Sequence, residues 1–152
     1  MATMGSGYGR FMATHVTQHQ VRFHELDPYD HVNHAMYVTY FEIGRVDALD
    51  AIGLGLDQLK IQGYQFVITK LEVRFRDAAG AGEALSIHTA VSTFGRASTV
   101  WTQQIRRSNE TGDGDLIATA EVTVAVTGAD GKPTRPPAEM FDTLRQLEIS
   151  DA

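Results

Sequence analysis

The sequence predicts an α+β domain in which a curved antiparallel five-stranded sheet wraps around one long central helix. Three patterns point to it. A proline-free run from His34 to Ile52 repeats apolar residues every three or four positions. Five other stretches read as strands, one ahead of that run and four behind it. Short turns separate the last four, and short links favour antiparallel neighbours.

Each element has a local cause. Val16 to His24 alternates without a breaker and reads as the first strand. Pro28 drives Asp27 out of the α region, so Glu25 to Asp30 reads as a loop. Asn33 can cap a helix, because its side-chain oxygen accepts an N–H of the first turn. Tyr37, Tyr40, Phe41, Gly44, Ala48 and Ile52 then form one apolar stripe. Gly44 costs about 1 kcal/mol of helix propensity relative to alanine, which implies close approach to the surface it packs on. Gly53 and Gly55 end the helix. Gly63 to Arg76 carries apolar residues at 66 and 68, then at Leu71, Val73 and Phe75. That change of parity predicts a strand kinked near Thr69. Ala84 to Thr93, Ala97 to Ser108 and Leu116 to Val126 follow as strands, and Ala138 to Leu147 as a short terminal helix.

The chain has 152 residues, the size of one domain. We expect a flexible tail over 1–14 and a single domain over 15–148. Met1 to Thr14 has no unbroken apolar stretch and does not read as a signal peptide. No apolar run is long enough for a membrane-spanning helix. With 13 basic and 19 acidic residues the net charge is −6, which repels nucleic-acid phosphates. The absence of cysteine removes disulfides and thiol nucleophiles, and it fits a reducing cytoplasm, the expected location.

Chemistry concentrates at Glu25-Leu26-Asp27-Pro28-Tyr29-Asp30-His31-Val32-Asn33-His34. Polar loops are common, and composition alone would describe a solvated connection. The position is what distinguishes this one. A helix start offers unpaired N–H groups and the positive end of the helix dipole. Such donors stabilise an oxyanion, and a carboxylate upstream can attack the same carbonyl or activate water.

The run Asp27-Pro28-Tyr29-Asp30-His31-Val32-Asn33-His34-Ala35-Met36-Tyr37, followed by Tyr40-Phe41-Glu42, resembles the hotdog-fold acyl-CoA thioesterases of the 4-hydroxybenzoyl-CoA thioesterase type. It is also similar to acyl-ACP and acyl-lipid thioesterases of that superfamily. The resemblance spans about Val16 to Pro137 and implies hydrolysis of an acyl thioester of CoA or acyl carrier protein. It places Asp27 as nucleophile or general base. The amide at His34 would polarise the carbonyl, Tyr37 would be the aromatic residue one turn into the helix, and Glu42 a supporting carboxylate. His31 and Asn33 would line the substrate. One departure is Asp30, which stands where the family has glycine. No metal or redox cofactor is implied. A homodimer or homotetramer is implied, with sheets joined edge to edge and the site at the subunit boundary.

Two other functions remain open on the sequence. A hotdog hydratase or dehydratase would need a His and carboxylate pair, such as His31 with Glu42. A non-catalytic acyl-thioester binding module would not need Asp27. His24, His31 and His34 lack a distinctive third ligand spacing for a metal, and His24 and His88 are expected in strands. Of the arginines, Arg96 in a turn at a sheet edge is the first choice for a CoA phosphate.

Overall fold

The computed structural model describes residues 15–109 and 112–150. The tail expected over 1–14 lies outside the described residues. Strand β1 is His15–Gln20, helix α1 is His34–Ala51 and helix α2 is Leu56–Ile61. Strands β2 (Tyr64–Phe75), β3 (Ala84–Phe94), β4 (Ser98–Asn109) and β5 (Gly112–Gly128) follow, and α3 is Ala138–Leu144. All strands pair antiparallel in one sheet of order β1-β3-β4-β5-β2, giving the expected α+β hotdog architecture.

Helix α1 lies on one face of the sheet. Its buried positions are Tyr37, Tyr40, Phe41, Gly44, Arg45, Ala48 and Leu49, close to the predicted stripe. The close approach inferred at Gly44 is present: a β-carbon there would sit 2.6 Å from Ile87 Cγ2 and 2.9 Å from Thr89 Oγ1. The sheet answers with Leu85, Ile87 and Val91 of β3, Trp101 and Ile105 of β4, and Ala118 and Val122 of β5, all essentially inaccessible. Inside this contact Gln103 donates to the Phe41 carbonyl (2.9 Å) and accepts from Arg45 (3.0 Å), so both ends of its buried amide are bonded.

Three features depart from the sequence expectation. The first strand ends at Gln20, and Phe23–Glu25 is a 3-10 turn that carries exposed His24. This turn begins where Glu25 Oε1 accepts the Arg22 N–H at 2.8 Å. Helix α2 was not foreseen; at six residues it is too short for periodicity to show. Strand β2 does not pair with β3, its neighbour in sequence, but crosses to the far edge and pairs with β5. The link at 76–83 makes that crossing beneath the start of α1.

The kink near Thr69 is real. The β2–β5 register shifts between Ile68 and Lys70, so Ile68 and Leu71 point to the same face as Phe75. That face is the helix side of the sheet. Ile68, Leu71 and Phe75 are nevertheless 43%, 39% and 53% exposed, since α1 does not reach over the edge strand.

Candidate active site

The segment 25–33 is a miniature hairpin leading into α1. Asn33 N donates to Glu25 O (2.8 Å), Leu26 and Val32 form an antiparallel bridge, and Asp27 N donates to His31 O (2.7 Å). The tip closes with Asp30 N donating to Asp27 O at 3.1 Å. Asp30 has φ +62°, the single positive value among the described non-glycine residues. The glycine-like conformation therefore survives the replacement, because Asp tolerates the left-handed region better than most residues.

The hairpin aims Asp27. Oδ1 accepts the Tyr29 N–H at 2.8 Å and the His31 N–H at 3.2 Å. One carboxylate oxygen is thus fixed by two amides, and the other has no donor among the described residues. Next along the chain comes the helix start. Asn33 Oδ1 accepts the Ala35 N–H at 3.0 Å and the Asn33 carbonyl accepts the Met36 N–H at 2.8 Å. The N–H of His34, the first helical residue, has no acceptor among the described residues. The cap predicted for Asn33 is therefore present, and it leaves one amide free at the positive end of α1.

Behind this pair the hairpin leans on the link from β2. Val32 N donates to Ala79 O (2.8 Å), His31 bridges to Gly80, and the Tyr37 hydroxyl accepts the Ala79 N–H at 3.3 Å. Tyr37 is buried, with its ring 5.6 Å from that of Phe75. Arg107 holds the link itself: it donates to Glu83 (2.7 Å), Asp77 (2.8 Å) and the Ala78 carbonyl (2.6 Å). The Gly80 N–H donates to the second Glu83 oxygen. The Arg107 guanidinium beside it holds Asp77 below its usual range. Burial pushes Glu83 upward, and Arg107 with the Gly80 amide more than offsets it, so its pKa is also lowered.

Asp27, His31, Asn33 and His34 therefore share one corner, with His31 and His34 exposed and Tyr37 behind them. Glu42 and Arg96 do not join them. Glu42 is eight residues into α1, about 12 Å along the axis at 1.5 Å per residue. It flanks a groove of about 100 Å³ lined by Arg45, Leu49, Leu56, Phe66 and Ile68. Burial lowers the Arg45 pKa, and the Glu42 charge works against that. Arg96 lies in the β3–β4 turn, at the opposite end of β3 from the hairpin. There it shares an open cleft of about 450 Å³ with Arg135, Arg145, Phe94 and Phe141. His88 is buried in β3 beside Ser86 (3.1 Å). Among the described residues no group of three or more His, Asp or Glu side chains could hold a metal ion, and no helix is long and apolar enough to cross a membrane.

One site feature was missed from sequence. Glu25 is 5% exposed, and its Oε1 accepts from the Tyr40 hydroxyl (2.8 Å), the Arg22 amide (2.8 Å) and His19 (3.1 Å). The signal was a carboxylate two residues before Asp27 with a tyrosine on the buried helix stripe, but nothing local joins them.

Comparison with known proteins bears on this corner. The chain is similar to the acyl-acyl carrier protein thioesterase ATL3 of Arabidopsis thaliana, 30% identical over 58% of this chain and 45% of that protein. It thus spans less than half the length of that relative. The long-chain acyl-CoA thioesterase FadM of Escherichia coli K12 is 28% identical over 86% of this chain and 97% of its own. The crystal structure of a probable thioesterase from Bartonella henselae superposes with a TM-score of 0.74 at 29% identity, covering 81% of this chain and 98% of that one. The family model described as the thioesterase-like superfamily matches residues 21–145, and with the hotdog sheet and helix in place the chain belongs to that superfamily.

Proposed function

We propose that this protein hydrolyses an acyl thioester of CoA or acyl carrier protein, releasing the free acid and the thiol. The observation that carries the reading is the Asp27 carboxylate, with Oδ1 pinned by two amides and no donor to Oδ2 among the described residues, on the hairpin that leads straight into the His34 amide, which has no acceptor among them. The kinship with acyl-CoA and acyl-carrier-protein thioesterases supports the same reaction class.

In the reaction, the thioester carbonyl oxygen accepts the His34 N–H. Asp27 Oδ2 either attacks the carbonyl carbon or takes a proton from the water that does. Charge developing on the carbonyl oxygen falls at the positive end of α1, where one oriented donor is worth about 10²–10³ in rate. The tetrahedral species collapses by breaking the C–S bond, and the thiolate takes up a proton. Direct attack leaves an anhydride at Asp27, which water opens. His31 and Asn33 flank the acyl carbonyl, with Tyr37 as the wall behind. The apolar row Phe75, Leu71 and Ile68 runs from the helix start toward the groove by Glu42 and supports an acyl chain lying along β2. Glu42 has a supporting role at the far end.

We place the active form as a homodimer or a tetramer of such dimers. Strand β2 is an uncovered sheet edge with an apolar face, which favours pairing with a second copy. Antiparallel pairing of two β2 strands would bring the Tyr64 end of one beside the Phe75 end of the other. The Arg96 cleft of one copy would then lie at the same end as Asp27 of its neighbour, within reach of CoA phosphates. The cysteine-free composition fits work in a reducing cytoplasm.

Neither alternative gains support. A hydratase needs His31 and Glu42 on adjacent substrate carbons, and the helix separates them. A binding module has no use for an unengaged carboxylate oxygen at the helix start. A thiol-release assay across acyl-CoA and acyl-carrier-protein thioesters tests the proposal. Turnover by the wild type and its loss in Asp27→Asn are expected; hydrolysis unchanged in that variant would reject Asp27.

A further inference from the structure

The buried carboxylate of Glu25 has no part in the reaction just described, yet its surroundings connect directly to it. Its Oε1 collects bonds from three directions: His19 on β1 at 3.1 Å, the Arg22 amide at 2.8 Å, and the Tyr40 hydroxyl on α1 at 2.8 Å. The His19 ring also stacks on Tyr40, with centroids 4.5 Å apart. The Glu25 carbonyl oxygen meanwhile accepts Asn33 N at 2.8 Å, the base pair of the hairpin that carries Asp27. Asn33 is in turn the cap that leaves the His34 amide free. Glu25 therefore stands where the two halves of the site, the carboxylate hairpin and the helix start, are joined to each other and to the sheet.

Stability alone does not call for this residue. Among the described residues His19 is the one basic side chain bonded to it, and a buried ion, even a hydrogen-bonded one, is commonly no better for stability than a well-packed apolar side chain. What a carboxylate offers here, and an apolar residue does not, is directional bonding to β1, the 3-10 turn and α1 at one point. Burial raises the Glu25 pKa, and the Arg22, Tyr40 and His19 contacts more than reverse that, so the group is held as the acceptor anion. Burial, and then the hydrogen bond to Glu25 and its charge, push Tyr40 upward, which keeps its hydroxyl the donor.

We propose that Glu25 is a positioning residue: through its bond to Tyr40 it sets the angle at which the Asp27 hairpin meets the first turn of α1. This rests on the thioesterase reading for its catalytic consequence, but its geometric content is independent of it. Weakening the bond leaves both groups present and lets the hairpin move relative to the His34 amide. The chemical step suffers, while substrate binding along β2 does not.

The test compares wild type, Glu25→Gln, Tyr40→Phe and the double variant of the full chain, assayed well below each melting temperature. On a thioester that the wild type hydrolyses, we expect each single variant to lower kcat about tenfold with KM within about twofold, in line with loss of an interaction made in the transition state. The double variant should be no worse than Tyr40→Phe alone, because that change removes the bond outright, whereas Glu25→Gln keeps a neutral Oε1 acceptor and only weakens it. Unchanged kcat in folded Tyr40→Phe, or fully multiplicative losses, would overturn the proposal. Amide hydrogen exchange supplies a second readout. Exchange at Asp27, His31 and Asn33 should rise about tenfold or more in Tyr40→Phe, while amides in the middle of α1 stay protected. Unchanged exchange there would also overturn it. Should the wild type hydrolyse no thioester, the functional reading fails, and the exchange measurement still decides whether Glu25 and Tyr40 hold the hairpin.

Discussion

Asp27 and His31 hold each other from both sides: the Asp27 N–H donates to the His31 carbonyl at 2.7 Å, and the His31 N–H donates to Asp27 Oδ1 at 3.2 Å. The reciprocal pair orients a carboxylate without a cation and without using its second oxygen. It also sets how the site should respond to substitution. Asp27→Asn keeps an Oδ1 acceptor for both amides, so stability should stay within about 1 kcal/mol of wild type. Thiol release should nevertheless fall by about 10²–10⁴, the range for a lost acid–base group. Melting curves alongside the assay separate the two effects.

Glu42→Gln is expected to lower kcat/KM only several-fold. Glu42 lies along the helix from Asp27, at the groove by Arg45. Were this variant inactive while Asp27→Asn kept most of its turnover, the two carboxylates would have to exchange roles.

At position 30 the backbone, and not the side chain, should decide the outcome. Asp30 occupies φ +62°. Glycine adopts that value freely, so Asp30→Gly should retain both fold and hydrolysis within about twofold. A β-branched residue cannot, and Asp30→Val should cost about 1–3 kcal/mol and reduce turnover with it. Equal behaviour of the two variants would show that the hairpin tip has no bearing on Asp27.

Gly44→Ala sets helix propensity against packing. Alanine gains about 1 kcal/mol in an isolated helix. Here its β-carbon would meet Ile87 Cγ2 at 2.6 Å, so overpacking of about 1–3 kcal/mol should prevail. Thermal unfolding should show a lower Tm, and a raised one would mean that α1 can lift from the sheet at little cost.

Acid should loosen the link behind the site. Asp77 and Glu83 are held below their ordinary values of 3.8 and 4.5, chiefly through Arg107. Their contribution to stability is complete above the unfolded values and is lost as pH falls through the lower folded ones. Asp47, lowered by His15 and Thr17, behaves alike but independently of Arg107. Arg107→Gln should therefore flatten the decline of stability between about pH 5 and pH 3 without abolishing it. Parallel curves for variant and wild type would show that the Arg107 contacts carry no net stabilisation.

Much of the molecule was legible in its residues because the causes are local. The α1 stripe follows from a 3.6-residue period and its start from Asn33. The Thr69 bulge follows from a parity change that only an inserted residue can reconcile with one apolar face. The Asp27 to Tyr37 run carried the resemblance to the family, and it folds as one hairpin and helix start at the candidate site. Other features have no local cause. Six residues are too few to betray α2, and nothing in β2 says that β5 pairs with it in preference to β3. That choice depends on where the 76–83 link can pass beneath α1, and it leaves an apolar edge at Ile68, Leu71 and Phe75 open to a partner. The meeting of Glu25 with Tyr40, fifteen residues away, likewise exists only once β1, the hairpin and α1 have closed on one another. Sequence set the chemical groups and the periods of their elements, and the tertiary fold decided which groups meet, because burial and hydrogen-bond satisfaction are settled over the whole sheet and helix together.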